Sequence, residues 1–269
     1  MYNYLVLCDL DDTLLTSDKL IKDESINFIR NYIDSNNLFI LCTGRPYQAC
    51  INYYNEISKN GPLICDNGCS IYLSNNESIF IDIDISLVKE IFIKLKNKYD
   101  SSLLVTSKKI TYSYNYNNVP DYLKHNELND IRNIDGIIED IISINPLIIN
   151  IWLKEEYLND ILRIKEEYKD LLDITIWDLY DSKYGIEIRN IKGTKGNALK
   201  ILKEKYNIKD DHTIAFGDQK NDLSMLKEAY LGVAMINSNK EIKKEVKYVT
   251  KYDNNSNGVI KYLKDNNLY

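Results

Sequence analysis

Three carboxylates fall within four positions of LVLCDLDDTLL, residues 5–15: Asp9, Asp11 and Asp12, followed by the hydroxyl of Thr13. The apolar residues Leu5 to Leu7 lead straight into them. Clustered like charges repel, and a fold keeps them together mainly where a cation or a reaction offsets the repulsion. Three other stretches carry compatible chemistry. ILCTGRPY supplies Thr43, Gly44 and Arg45, a hydroxyl, a tight turn and a cation. GTKGNALK places Lys195 at the start of a helical pattern, and IAFGDQKNDLSML ends an apolar run in Asp218, Asn221 and Asp222. Carboxylates at this density suit a hard divalent cation, or a pair split between nucleophile and acid. Each stretch alone has an ordinary reading: an aspartate caps helices, Thr-Gly makes turns, and a lone lysine is solvated. Together they are hard to read as structure alone.

The elements that must position these residues follow from periodicity. YLVLC, LFILC and PLICD are short continuous apolar runs and read as buried strands. DESINFIRNYIDSN and PYQACINYYNEI between them have helical spacing. The alternation returns in GNALKILKEKY, TIAF, NDLSMLKEA and LGVAM. Continuous apolar strands alternating with helices predict an α/β fold with a parallel sheet covered by helices on both faces. Ligands of such sheets bind beyond the carboxyl ends of the strands, where every stretch above falls. Asp9 and Asp11, two apart on a strand, are expected to leave the sheet on the same side.

The middle of the chain differs. Residues 83–184 read as helix, strands (SLLVT, ITYSY, LIINIWL, DITIWD) and a second helix, EEYLNDILRIKEEYKD. Only Gly136 lies between Gly68 and Gly185, so the glycines that permit tight turns gather in the flanks. The expected organisation is a discontinuous core, 1–82 with 185–269, and an inserted α+β module over 83–184.

Composition bounds the partners. With 44% hydrophobic and 28% charged residues the 269-residue chain is a globular protein, and its net charge of −6 argues against a general nucleic-acid surface. No stretch approaches the roughly 20 apolar residues of a membrane span, and YLVLC is too short for a secretion signal. The five cysteines are expected to be reduced and buried in a cytoplasmic protein, without a zinc-site spacing.

Taken together, Asp9-Leu10-Asp11-Asp12-Thr13, Thr43-Gly44-Arg45, Lys195 and Gly217-Asp218-Gln219-Lys220-Asn221-Asp222 resemble the motifs of the haloacid dehalogenase (HAD) superfamily. LICDNGCSIY, YGIEIRNIKGTKG, GVAMINS and NGVIKYL are similar to its Cof-type phosphatases, whose large cap of C2 type is inserted between the second and third motifs. The resemblance implies a Rossmann-like core and hydrolysis of a small phosphorylated metabolite (sugar phosphate, nucleotide, flavin or pyridoxal phosphate) through an aspartyl-phosphate. It implies Asp9 as nucleophile, Asp11 as acid and base, and magnesium (Mg2+) on the Asp9 carboxylate, the Asp11 carbonyl and Asp218, with Asp222 and Asn221 in support. Thr43, Gly44, Arg45, Lys195 and Asn221 would contact the phosphate or the substrate, and the cap would close over them with polar residues such as Asn150 and Lys183. Like-charge coupling would raise the pKa of one member of the Asp9–Asp11 pair and so favour Asp11 as a neutral acid. A monomer or small homo-oligomer is expected, with no nucleic-acid or membrane partner. Two departures stand out: Asp12 and Ile236 occupy positions where the family usually has glycine. The rivals are a phosphomutase of the same fold, a receiver-like signalling protein using Asp66, and a phosphate-binding protein without catalysis.

Overall fold

The structure is a computed structural model that describes residues 2–58, 61–74, 76–106, 111–120, 131–133 and 145–269; Gly136 lies outside them. The chain divides into two compact units, one of Met1–Pro46, Cys50–Ile79 and Thr194–Tyr269, the other of Tyr47–Ala49 and Phe80–Gly193.

The first unit is built on β1 (Leu5–Cys8), β2 (Leu38–Cys42), β3 (Leu63–Cys65), β4 (Ser70–Tyr72), β5 (Ser78–Phe80), β12 (Thr213–Gly217), β13 (Leu231–Ala234) and β14 (Tyr248–Val249), in the order β14-β13-β12-β1-β2-β3-β4-β5. β1 pairs in parallel with β2 (Cys8 opposite Leu41) and with β12 (Cys8 opposite Phe216), which aligns the strand ends that carry Asp9, Thr43 and Asp218. Both faces are covered. Leu5, Leu7, Ile40 and Ala215 pack with Ala198, Leu199 and Leu202 of the helix Lys195–Tyr206 and with Met225 and Leu226 of Leu223–Glu228. On the opposite side Phe39 meets Tyr32 of Asp23–Asp34 edge-on, and Phe216 meets Tyr262 of Gly258–Asp265. Full burial of β1, β2 and β12 is why these strands read as unbroken apolar runs. The short β4, antiparallel to β3, and β5 were not foreseen; three residues carry too little pattern.

The second unit holds a mostly antiparallel sheet in the order β10-β11-β9-β6-β7-β8: β6 (Tyr99–Thr106), β7 (Thr111–Tyr114), β8 (Ile131–Asn133), β9 (Pro146–Lys154), β10 (Leu172–Tyr180) and β11 (Lys183–Asn190). Leu104, Ile149, Ile188 and Ile174 sit opposite one another across four strands. With Ile151 and Ile186 they pack against Val88 and Ile91 of the helix Ile85–Lys94 and Ile161 and Ile164 of Leu158–Glu167. The helix expected at the start of the inserted module ends at Lys94: Asn97 is left-handed (φ 63°) and Tyr99 already opens β6. The boundary expected at 184/185 cuts through β11, whose residues Gly185–Asn190 pair with β9 and β10. A glycine marked that boundary, but Gly185 is needed because a Cβ there would lie 2.4 Å from the Trp177 ring.

All five cysteines are buried thiols outside any disulfide, with the Sγ atoms of Cys50 and Cys65 3.2 Å apart. Among the described residues no helix is long and apolar enough to cross a membrane.

The two clusters share no residue, so deletions in each are expected to act separately. Leu199→Ala and Ile149→Ala should each cost about 2–5 kcal/mol in denaturant unfolding, and the double variant should lose the sum. A coupling above about 1 kcal/mol would mean a shared core.

Candidate active site

The carboxyl-terminal edge of the first unit's sheet collects the charged residues. β1 ends at Cys8, and Asp9 remains extended (φ −66°, ψ 159°), anchored by its N–H to the Phe216 carbonyl of β12 (3.0 Å). The chain then leaves strand geometry. Residues Leu10–Leu14 form a wide helical turn, in which Leu15 N–H donates to the Leu10 carbonyl at 2.9 Å and Asp12 has φ 55°. A left-handed residue here is the reason glycine suits this position; aspartate is among the few side chains that tolerate it. Ile236 has no such conformation, and its N–H is held by Thr250 Oγ1 at 2.9 Å.

Because of this turn Asp9 and Asp11 part company, against the expectation that both side chains face one way. Asp9 is buried. Asp11 turns its carboxylate outward to Arg45, which donates from Nε and Nη2 at 2.7 Å each, and to Lys19 Nζ at 2.8 Å. Burial alone would raise the Asp11 pKa, but the hydrogen bonds from Arg45 and Lys19 outweigh it and hold Asp11 at about 2. The raised member of the pair is therefore Asp9, and Asp11 as it stands is an ionised partner of two cations. Arg45, stacked over Tyr53 (5.4 Å), is correspondingly engaged with the protein itself.

Lys195 is fully buried and joins two loops: its Nζ donates to Asp9 Oδ1 and to Asp222 Oδ1, both at 2.6 Å. Thr194 Oγ1 caps this helix by accepting from Asn197 N–H (3.1 Å). Gly196 lets it approach Ser224, whose carbonyl would lie 2.4 Å from a Cβ. The second oxygen of Asp222 accepts from the N–H groups of Asp218 and Gln219 at 2.9 Å, folding GDQKND into a closed turn. Gly217 is required beneath it, since a Cβ would sit 2.4 Å from the Asp222 side chain. Asp218 in turn accepts from Thr13 Oγ1 (2.9 Å) and Gln219 Nε2 (3.1 Å).

Ligand oxygens of Asp9, Asp218 and Asp222 lie within 4.8 Å of one another. Burial, then the Asp222 and Asp218 carboxylates, push Asp9 up to about 8 against the pull of Lys195; burial and Asp222 push Asp218 to about 6. Burial works against the charge of Lys195, yet Asp222 and Asp9 raise its pKa above the ordinary value, so it stays an ammonium. Three carboxylates and one ammonium sum to −2, the charge a divalent cation neutralises. An all-oxygen donor set suits magnesium or calcium. Asp9 Oδ2 carries no hydrogen bond among the described residues and is the open position, while Asp222 places one oxygen on Lys195 and the other on two backbone N–H groups.

Thr43 is buried at the end of β2, its Oγ1 accepting from Arg45 N–H (3.1 Å). Asn221 donates to Asn67 Oδ1 at 2.9 Å, and Gly44 packs against that same Asn67 side chain. Lys183 pairs with Asp100 (2.7 Å) in the second unit. Sequence reasoning passed over Thr13, Lys19, Asn67 and Gln219 as site residues. Thr13 and Gln219 stood inside the quoted motifs. Asn67 had a signal in Asp-Asn-Gly after a strand, whereas nothing local marks Lys19.

The family described as haloacid dehalogenase-like hydrolase matches residues 6–263. Two Bacillus subtilis proteins named 5-amino-6-(5-phospho-D-ribitylamino)uracil phosphatase are similar over nearly the whole chain. YitU is 27% identical, covering 97% of each chain, and YcsE is 28% identical over 97% of this chain and 94% of its own. A crystal structure from Thermotoga maritima superposes with a TM-score of 0.82 at 25% identity, covering 98% of this chain and 97% of that one.

Removing the buried ammonium should expose the charge problem it solves. A carboxyl with a raised folded pKa stabilises below its ordinary range and loses that stability as pH climbs toward the raised value. Lys195→Met removes the group opposing the rise at Asp9. In metal-free protein it is therefore expected to cost clearly more at pH 9.5 than at pH 7, read from denaturant unfolding, because the variant goes on losing stability above about 8, where wild-type Asp9 has already ionised. An equal loss at both values would contradict this charge assignment.

Proposed function

Since the chain belongs to the haloacid dehalogenase-like hydrolases, we propose that it is a magnesium-dependent phosphatase that transfers a phosphoryl group from a small phosphomonoester to Asp9 and then to water. The observation that carries this reading is Asp9 itself, with Oδ1 fixed by the buried Lys195 and Oδ2 left open beside Asp218. A carboxylate held in this way is oriented as a nucleophile without losing its free lone pairs. Asp9 Oδ2 attacks phosphorus in line as the ester oxygen departs, and water then cleaves the aspartyl-phosphate. Lys195 stabilises negative charge on Asp9 and on the transferring group, and Thr43 offers its hydroxyl to a phosphoryl oxygen.

Asp9, Asp218 and the Asp11 carbonyl would hold the magnesium ion, Asp222 supporting them through Lys195 and the turn that shapes Asp218. When bound, the ion supplies the positive charge that lets an anionic phosphate approach Asp9. Asp11 is the acid for the leaving oxygen and the base for the water. That role requires its carboxylate to leave Arg45 and Lys19, because a group held at about 2 gives up no proton near neutrality. Rotation of the side chain away from those cations restores an ordinary acid, so Arg45 and Lys19 act as a latch on Asp11 and not as substrate ligands.

For the substrate class, the two Bacillus subtilis relatives are named for a phosphorylated ribityl compound, which favours a sugar or polyol phosphate here. A magnesium-containing screen of sugar and polyol phosphates, 5-amino-6-(5-phospho-D-ribitylamino)uracil, nucleotides, flavin mononucleotide and pyridoxal phosphate, scored by phosphate release, tests it. Transfer to a second sugar position without phosphate release would make the protein a mutase.

Two outcomes check the mechanism. Asp9→Asn is nearly isosteric and should retain the fold by circular dichroism while turnover falls below about a hundredth of wild type; substantial residual hydrolysis would move the nucleophile elsewhere. Asp9, with its raised pKa, would have to give up its proton to hold magnesium. Its affinity is expected to strengthen as pH rises from 6 to 8, with release of about one proton per ion at pH 7, measured by titration calorimetry in buffers of different ionisation enthalpy. An affinity flat across that range would defeat the metal assignment.

A further inference from the structure

The turn after β3 has no role in the chemistry above, yet it touches the segments that carry Thr43, Lys195 and Asn221. Asp66, Asn67 and Gly68 are three consecutive residues with positive φ (53°, 57° and 101°). Only glycine adopts such backbone freely, so the surroundings must hold the other two there. The Asp66 N–H donates to the Arg45 carbonyl (3.0 Å) and the Asn67 N–H to the Thr43 carbonyl (3.1 Å). Ser70 Oγ donates to Asp66 Oδ2 at 2.6 Å, which ties the turn to β4. A Cβ on Gly68 would lie 2.4 Å from the Thr194 carbonyl, immediately before Lys195. The buried Asn67 side chain accepts from Asn221 Nδ2 at 2.9 Å.

This last contact joins loops that strand pairing leaves apart, because β1 and β2 separate β12 from β3 in the sheet. Backbone ladders align the strand ends but not the side chains beyond them. We infer that Asn67 is a positioning residue: its carboxamide and N–H lock the Asn221 loop and the Thr43–Arg45 loop to one another, and so set Thr43 against the phosphoryl group carried by Asp9. The inference rests on the phosphatase reading and adds a residue to it that acts through Thr43 and Asn221 and touches no substrate. It also accounts for Gly44, where a Cβ would come 2.9 Å from Asn67 Oδ1.

Glycine at 67 permits the same backbone and keeps the N–H to Thr43, so Asn67→Gly deletes the carboxamide alone. The variant should fold with a melting temperature near that of wild type. Its kcat should fall about 10- to 100-fold, the scale of a small misplacement of reacting groups, with KM changed far less. Asn67→Ala loses the same side chain but strains the left-handed backbone; it should match the glycine variant in kcat while melting lower. Asn221→Ala should reproduce the loss, and Asn67→Gly with Asn221→Ala should be no worse than the poorer single variant, since both break one link. An Asn67→Gly enzyme within about twofold of wild-type kcat, or losses that multiply in the double variant, would overturn the inference. Wild-type protein that releases phosphate from no ester would instead overturn the phosphatase reading.

Discussion

A buried ammonium between two carboxylates organises this protein. Lys195 has no exposed surface, and its stem comes from a helix whose other residues, Ala198, Leu199 and Leu202, pack the core under β1 and β12. The helix cannot shift without dragging the charge off Asp9 and Asp222, and those carboxylates cannot stay buried without it. One lysine thus couples the packing of the sheet to the geometry of the site. Its limit is equally informative, because one positive charge does not balance three carboxylates. Burial, with that excess added to it, pushes up the pKa values of Asp9 and Asp218.

Around that ammonium, orientation is delegated to side chains held by the protein's own backbone and hydroxyl groups. Asp222 spends one oxygen on Lys195 and the other on two backbone N–H groups, and its closed turn aims Asp218. Gly217 exists to leave room for it. Thr13 fixes Asp218 from the first loop, which ties the two acidic segments together across 205 residues of chain. A parallel sheet suits this division, since its rigid ladders deliver several loops to one edge while those loops remain free to take strained conformations.

The second unit follows different rules. Its sheet is mostly antiparallel, its core is separate, and its charged pairs, Lys183–Asp100 and Arg189–Asp173, are internal. Asp9, Asp11, Arg45, Lys195, Asp218 and Asp222 all come from the first unit. A module with its own core can vary without disturbing the chemistry of the first unit, the arrangement expected where one reaction serves different substrates.

The order of strands and helices was legible in the sequence because β1, β2 and β12 are buried on both faces and the helices between them on one, and burial writes periodicity directly. Asp9, Asp218 and Asp222 stood out because few structural reasons put such charges beside apolar runs, whereas Lys195 stood out only through the motif resemblance. Where the side chains point was not. The alternation of a strand placed Asp11 beside Asp9, but the chain unwinds into a wide turn at Leu10, and Arg45 and Lys19 capture Asp11 from elsewhere in the chain. The end of the inserted module was misread for a similar reason, as Gly185 looks like a boundary and is instead a residue within β11 that clears the Trp177 ring. Asn67 earned no notice as one asparagine in a turn, and only tertiary packing sets Asn221 against it. Residue type and local period are properties of a segment and survive in the sequence; charge partners are chosen by what the fold brings within 3 Å, and that is decided in three dimensions.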